Sequence, residues 1–351
     1  VAAEDEDPTA AAPGAAPAPD RPSGASLERA LRGRVALTLG RSLRQLEVAL
    51  AGAIDSPVAL VREMGHYSAG GKRLRPMLLM LAARVAGYRG RRAVDLGCVV
   101  ELLHTATLIH DDVVDHAALR RGRASANARW GEDASILFGD YLYAKSLALL
   151  LQDGDPKIMQ VLSDVTVAMT EAELLQLEQK RGAMPGEDVY LRIVAQKTAA
   201  FMSACCRIGA LLGNCTGERL TGLTQYGREL GIAFQLCDDA LDYAVDATRL
   251  GKPVGADLAD GKQTLPLLLA LDRADAAERA RMQALLRTVP VAPAALDELR
   301  ATVVRLGGVE TALARAENHA RSAKAALSWF DDSAEREMLF MVADFAVRRD
   351  H

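Results

Sequence analysis

Two clusters of aspartate carry the clearest chemistry in this chain. Asp111, Asp112 and Asp115 form one Asp-Asp-x-x-Asp run, and Asp238, Asp239 and Asp242 form a second. In a helix the outer carboxylates of each run, four residues apart, project from one face. Like charges so placed repel each other. Both runs also close apolar stretches: Leu102 to Ile109 leads into the first, and Gly231 to Cys237 into the second. Such clusters persist in apolar surroundings when a cation sits among them. Magnesium takes oxygen ligands, commonly one or two carboxylates with water and substrate phosphate completing the shell. Two helices presenting these turns across a cavity could hold several Mg²⁺ ions and a diphosphate. A single triplet is as readily a solvated helix face, but the apolar lead-ins put both at the mouth of a pocket.

Cations for an anionic ligand are present as well. Gly70-Gly71-Lys72-Arg73-Leu74-Arg75-Pro76 is a glycine turn with three bases, and Arg120-Arg121-Gly122-Arg123 follows the first aspartates. Lys197-Thr198 lies mid-chain, and Lys252 and Lys262 flank Gly255-Ala256-Asp257-Leu258. Backbone amides with Lys and Arg suit phosphate, Arg as a bidentate fork and Lys as a mobile charge. Any one of these bases is more commonly a surface solubilising residue. Together with the carboxylates they match two diphosphates, one bound through metal and one by bases alone.

The elements that must position these groups read as helices. Ser26 is the expected N-cap of a helix after an Ala/Pro-rich stretch, and Arg92 to about Ala118 is apolar at helical spacing. Further helical segments are expected near 133–152, 156–180, 187–213, 216–247, 262–287, 293–305, 308–330 and 333–347. They are separated by Gly, Pro and Asp breaks such as Asp153-Gly154-Asp155-Pro156 and Met184-Pro185-Gly186. No long segment alternates with period two. Residues 1–25 hold five of the thirteen prolines, which predicts a disordered tail. Residues 26–351 are expected to form one all-α domain, a large helical bundle.

Half of the 351 residues are hydrophobic and a quarter charged, with a net charge of −4. That balance favours a globular protein and argues against a nucleic-acid partner. The five cysteines lack zinc spacing and are expected to be buried free thiols in a reducing compartment. The acidic N-terminus is unlike a secretory signal, and no uninterrupted apolar run looks long enough to span a bilayer. The expectation is a cytoplasmic protein.

Assembled in order, these motifs resemble the trans-polyprenyl diphosphate synthase family over roughly residues 30–345. The motifs are Gly-Gly-Lys-x-x-Arg-Pro, the run from Glu101 to Asp115, Leu119-Arg120-Arg121-Gly122, Gly139-Asp140-Tyr141-Leu142, Lys197-Thr198-Ala199, Phe234-Gln235 with the second triplet, and Gly255 to Pro266. The chain is most similar to the long-chain members, the octaprenyl, solanesyl and decaprenyl diphosphate synthases. The resemblance implies the all-α isoprenoid synthase fold, a homodimer, and Mg²⁺-dependent condensation of an allylic diphosphate (farnesyl or geranyl) with isopentenyl diphosphate, repeated to a long product for quinone side chains.

It also implies roles for residues. Asp111, Asp115 and Asp238 would bind Mg²⁺, three ions with substrate bound, supported by Asp112, Asp239 and Asp242. Lys72, Arg75, His104 and Arg121 would hold isopentenyl diphosphate. Arg120, Lys197, Thr198, Gln235 and Lys252 would hold the allylic diphosphate, with Lys262 nearby. Ala106 and Thr107 stand where short-product relatives carry bulky aromatics, so with Leu103 and Val99 they would line a groove that sets chain length. His116 departs from the acid that long-chain relatives often carry there. The alternatives are a geranylgeranyl-type synthase and a non-catalytic helical subunit of a heteromeric synthase. A metal phosphohydrolase built on His110-Asp111 leaves the second triplet unused, and a terpene cyclase lacks the isopentenyl site.

Overall fold

The computed structural model describes residues 24–120, 122–181, 186–244, 255–287 and 290–348. The expected tail over 1–25 falls almost wholly outside them, as do Arg121 and Lys252. Helices dominate: α1 (Gly24–Ala53), α2 (Ala59–Ser68), α3 (Leu74–Val85), α4 (Arg92–Val114), α5 (Ala126–Trp130), α6 (Glu132–Asp153), α7 (Pro156–Arg181), α8 (Glu187–Val194), α9 (Ala200–Leu212) and α10 (Gly217–Ala244). The short α11 (Ala256–Ala259) precedes α12 (Leu265–Arg273), α13 (Ala276–Leu285), α14 (Pro293–Arg305), α15 (Gly308–Ala326) and α16 (Ala334–Arg348).

Several local features depart from the sequence reading for identifiable reasons. Ser26 lies inside α1 rather than ahead of it. The segment 262–287 is two helices, because Asp275 accepts a hydrogen bond from the Glu278 N–H at 2.8 Å and starts α13 afresh. The helix expected to reach Ala118 stops at Val114. There His116, at φ 48°, takes the left-handed position that glycine usually fills. The His116 N–H reaches the Val113 carbonyl and the Ala117 N–H the Asp112 carbonyl, closing the helix end. The chain then makes a two-residue hairpin, β1 (Leu119–Arg120) against β2 (Arg123–Ala124). Strands this short leave no periodic signal.

The core forms two adjoining clusters. The larger is built from α1, α3, α4, α6 and α9 and includes Leu78, Leu81, Leu96, Val100 and Phe201. The smaller gathers Leu258, Leu265, Leu267, Leu299 and Val303. Helices α10 and α15 belong to both: Tyr226 and Ala323 lie in the first, Tyr243 and Ala312 in the second. A Cβ on Gly209 would lie 2.6 Å from the Leu79 carbonyl oxygen, so α9 and α3 pack at backbone contact. All five cysteines are buried thiols, none of them in a disulfide.

Contrary to the expectation from apolar runs, α4 and α6 are each long and apolar enough to cross a membrane. For α4 this reflects its place in the protein core, with 67% of its apolar window buried. In α6 only 33% is buried. Ile136, Leu137, Tyr143, Leu147 and Leu151 are exposed along its outer side, and Val167 and Leu174 on α7 add to them.

Candidate active site

The two aspartate turns sit at the C-terminal ends of α4 and α10. They share a design. In each, the middle aspartate is buried and tied down, while the outer pair keeps access to solvent. Asp112 is 3% exposed and accepts both Oδ atoms' worth of contact from the Arg120 Nε at 2.7 Å. Asp239 is 4% exposed; its Oδ1 accepts from Gln235 at 2.8 Å and its Oδ2 from the Tyr190 hydroxyl at 2.5 Å. Gln235 in turn accepts from the Thr198 hydroxyl at 2.9 Å. By contrast Asp111 and Asp242 are half-buried, and Asp115 and Asp238 are exposed.

Lys197 and Thr198 lie on a π-helical turn, Ala195–Ala199, set between α8 and α9. Such wide turns recur at functional sites. Gly231 lets α10 approach this turn, since a Cβ there would lie 2.5 Å from the Ala199 Cα. The Lys197 ammonium pairs with Glu173 and donates to the Gln176 Oε1 at 3.2 Å. Lys262 donates to Asp257 at 3.0 Å, and the Asp257 backbone N–H donates to Asp242 at 3.1 Å.

Lys262 links the two turns electrostatically. Burial pushes Asp111 up to about 6; Lys197 opposes the shift, and Glu173 and Asp115 add to it. Burial also works against the Lys262 ammonium, but Asp257 from one side and Asp115 from the other hold it above its ordinary range. Lys262 thus feels the first triplet directly and is bonded to the partner of the second. Burial, with Asp257 adding, raises Asp239 up to about 7, against the hydrogen bonds from Tyr190 and Gln235. A cavity of about 160 Å³ opens here, lined among others by Lys197, Thr198, Gln235, Asp239, Asp257 and Lys262.

The remaining bases have partners of their own. The Arg75 guanidinium donates to His104 Nε2 at 2.8 Å and lies 5.2 Å over the Phe201 ring. Arginine has only donors, so His104 accepts here and carries its proton on Nδ1. The Arg75 Nε is buried with no protein partner. Lys72 is exposed, with its ammonium 5.9 Å over the Phe345 ring. A cavity of about 110 Å³ includes Gly70, His104, Asp112 and Arg120. Among the chain-length candidates, Leu103 and Ala106 are buried at 4% and 2%, and Thr107 is half-buried with its hydroxyl on the His104 carbonyl.

Sequence reading missed Tyr190, Glu173 and Gln176, which no motif flags. Asp257 was visible within the Gly255 to Pro266 run but carried no assigned role. Among the described residues, no three His, Cys, Asp or Glu side chains stand close enough to hold a metal ion by themselves. That suits Mg²⁺, which draws one or two carboxylates from protein and further oxygens from phosphate and water. The accessible oxygens of Asp111, Asp115, Asp238 and Asp242 are hard donors, and Asp111 is a carboxylate whose burial a cation would offset. The donor set fits the ion.

Residues 58–303 match the Polyprenyl synthetase family. The chain is 40% identical over 307 residues to the octaprenyl diphosphate synthase of Escherichia coli, covering 87% of this chain and 95% of that one. It is 36% identical to a short chain isoprenyl diphosphate synthase of Methanothermobacter thermautotrophicus, covering 84% and 92%. Its fold matches a polyprenyl synthase from Caulobacter crescentus, solved with calcium and isoprenyl diphosphate, at a TM-score of 0.85 and 36% identity over 94% of this chain and 99% of that one. The chain belongs to the polyprenyl synthetase family, an all-α family of trans-prenyltransferases.

Proposed function

We propose that this protein adds isopentenyl diphosphate repeatedly to an allylic diphosphate, farnesyl or geranyl, and releases a long-chain polyprenyl diphosphate used for quinone side chains. The observation that carries the reading is Lys262, set between Asp115 of one turn and the Asp257–Asp242 contact of the other. One ammonium thus answers to carboxylates of both triplets, which supports a shared site for an anion.

Asp111, Asp115 and Asp238 would hold Mg²⁺, three ions with substrate bound, with Asp242 supporting. The metal supplies positive charge to the departing diphosphate. The chain's own residues do the rest. Lys197, Thr198, Gln235, Arg120 and Lys252 clamp the allylic diphosphate, and Lys262 stabilises charge that grows on it as the C–O bond breaks. Asp112 and Asp239, buried and hydrogen-bonded, support by anchoring the last turns that aim their neighbours. Lys72, Arg75, His104 and Arg121 place isopentenyl diphosphate so that its double bond attacks the allylic carbon. The proton lost afterwards goes to the released diphosphate. Apolar walls keep water from quenching the cation.

The octaprenyl diphosphate synthase of Escherichia coli, at 40% identity against 36% for the short chain synthase, supports a long product. The small Ala106 and the modest Thr107, with Leu103 and Val99 further along α4, favour a long product. We infer also that residues 26–351 act as one catalytic domain, because α10 and α15 thread both core clusters. The apolar outer side of α6 and α7 supports a homodimer, which would cover it. Its free, buried thiols fit a cytoplasmic enzyme.

The test is incubation of purified protein with farnesyl diphosphate, isopentenyl diphosphate and Mg²⁺, with products sized by mass. Products of eight or more five-carbon units are expected, and Asp111→Asn or Asp238→Asn should lower turnover at least a hundredfold, on the order of a lost charge-stabilising group. No condensation by the wild-type chain, or full activity in both variants, refutes the reading.

A further inference from the structure

Tyr67, on the last turn of α2, lies outside the cavity beside Asp239 but at the junction of the two basic segments. Its hydroxyl donates to the Ala124 carbonyl at 2.8 Å. Its ring faces the Arg123 guanidinium at 4.2 Å and the Arg129 guanidinium at 4.6 Å. Trp130 meets the ring edge-on, with centroids 4.9 Å apart, and Arg129 also lies over Trp130 at 4.6 Å. Arginine over an aromatic face is attractive, and more so when partly desolvated.

These contacts hold one strand of the hairpin. Arg123 pairs with Arg120 and Ala124 with Leu119, so Tyr67 braces β2 at the place where it meets β1. The hairpin is pinned independently at its other side, where Arg120 grips Asp112 and Ser125 donates to the Ala117 carbonyl. Tyr67 stands three residues before Gly70, and Gly70, Gly71 and Arg73 all take positive φ. From Ser68 the chain therefore leaves α2 directly into the glycine turn that carries Lys72. Tyr67, Gly70, His104, Asp112, Arg120 and Arg123 surround the same small cavity.

We propose that Tyr67 is a positioning residue for isopentenyl diphosphate: it ties the 119–124 hairpin to the Gly70–Lys72 turn so that their bases converge on one phosphate site. This rests on the assignment of Lys72 and the hairpin's tip to that substrate. The allylic side is spared, because Asp112 holds Arg120 directly and Lys197 and Lys262 line the other cavity.

The experiment compares Tyr67→Leu, Tyr67→Phe and Arg123→Gln with wild type, measuring KM for each substrate separately at saturating levels of the other. Tyr67→Leu should raise KM for isopentenyl diphosphate roughly tenfold, and the other two by a few-fold, in line with one hydrogen bond and two cation–ring contacts. KM for the allylic diphosphate should stay within about twofold. Equal rises for both substrates, or no rise for either, overturn the proposal. If Tyr67→Leu melts well below wild type, Tyr67→Phe and Arg123→Gln decide, since each removes one contact from a retained ring. Calorimetric titration with isopentenyl diphosphate alone gives the same comparison without turnover. A wild-type chain that binds it but condenses nothing would defeat the proposed reaction while leaving this test intact.

Discussion

Placing a bulky ring at two heights on α4 tests whether this helix measures the product. Ala106 and Val99 are five and twelve residues before Asp111 on the same helix, and each is 2% exposed. At about 1.5 Å rise per residue they stand roughly 7.5 and 18 Å from the first aspartate turn. A fully extended three-bond repeat spans about 3.3–3.6 Å, so the four-bond backbone of one isoprene unit spans roughly 4.5 Å by the same geometry. About two units fit below Ala106 and about four below Val99. Ala106→Phe should therefore stop elongation near two or three units, and Val99→Phe near four or five. Each ring also overpacks a full core, at about 1–3 kcal/mol, which lowers the melting temperature by several degrees. The assay is mass analysis of extracted products, with circular dichroism to show that the variants fold. Folded, active variants that both give the wild-type product would show that the chain does not grow along this helix. Identical shortening by both would show that distance along α4 is not what sets length.

Two other outcomes follow from the local chemistry. His116 occupies a left-handed position that costs an L-residue about 1–2 kcal/mol, so His116→Gly, after its own entropic cost, should stabilise by about 0.5–1 kcal/mol. A melting temperature about one degree higher, about what that energy gives in a chain of this size, is the expected reading, and a lower one counts against the strain. Asp111 and Asp239 are held up to about 6 and about 7 in the folded chain, against ordinary values near 3.9. Between those limits the folded state binds more protons than the unfolded one, so stability present in acid is lost as pH rises through 6 and 7. Metal-free protein should melt lower at pH 8 than at pH 5, and Asp239→Asn should shrink the difference; an unchanged difference would remove Asp239 from the account.

Much of this architecture was legible from spacing alone. The long helices α4, α6, α7 and α10 announce themselves through apolar positions at a period near 3.6, and glycine and proline mark most of their ends. The carboxylate turns were legible because charge at the end of an apolar helix is costly and therefore informative. What escaped depends on contacts between segments distant in sequence. Tyr190 meets Asp239 across 49 residues, and nothing near Tyr190 in the chain marks it. The π turn at 195–199 differs from an α-helix by one residue per turn, which composition does not encode. The split between α12 and α13 was hidden because Asp272, Arg273 and Asp275 also suit an exposed helix face.

The threading of α10 and α15 through both core clusters bears on how the enzyme is made. The α4 turn rests on neighbours that leave the ribosome early. The α10 turn leans on Leu258, Leu265 and Ala312 in the smaller cluster, which are synthesised well after it. A nascent chain therefore carries one finished acidic turn and one without its supporting wall until most of the polypeptide has emerged. Truncation within α15 should leave no half-active enzyme, and affinity for metal diphosphate should arrive late and all at once during synthesis.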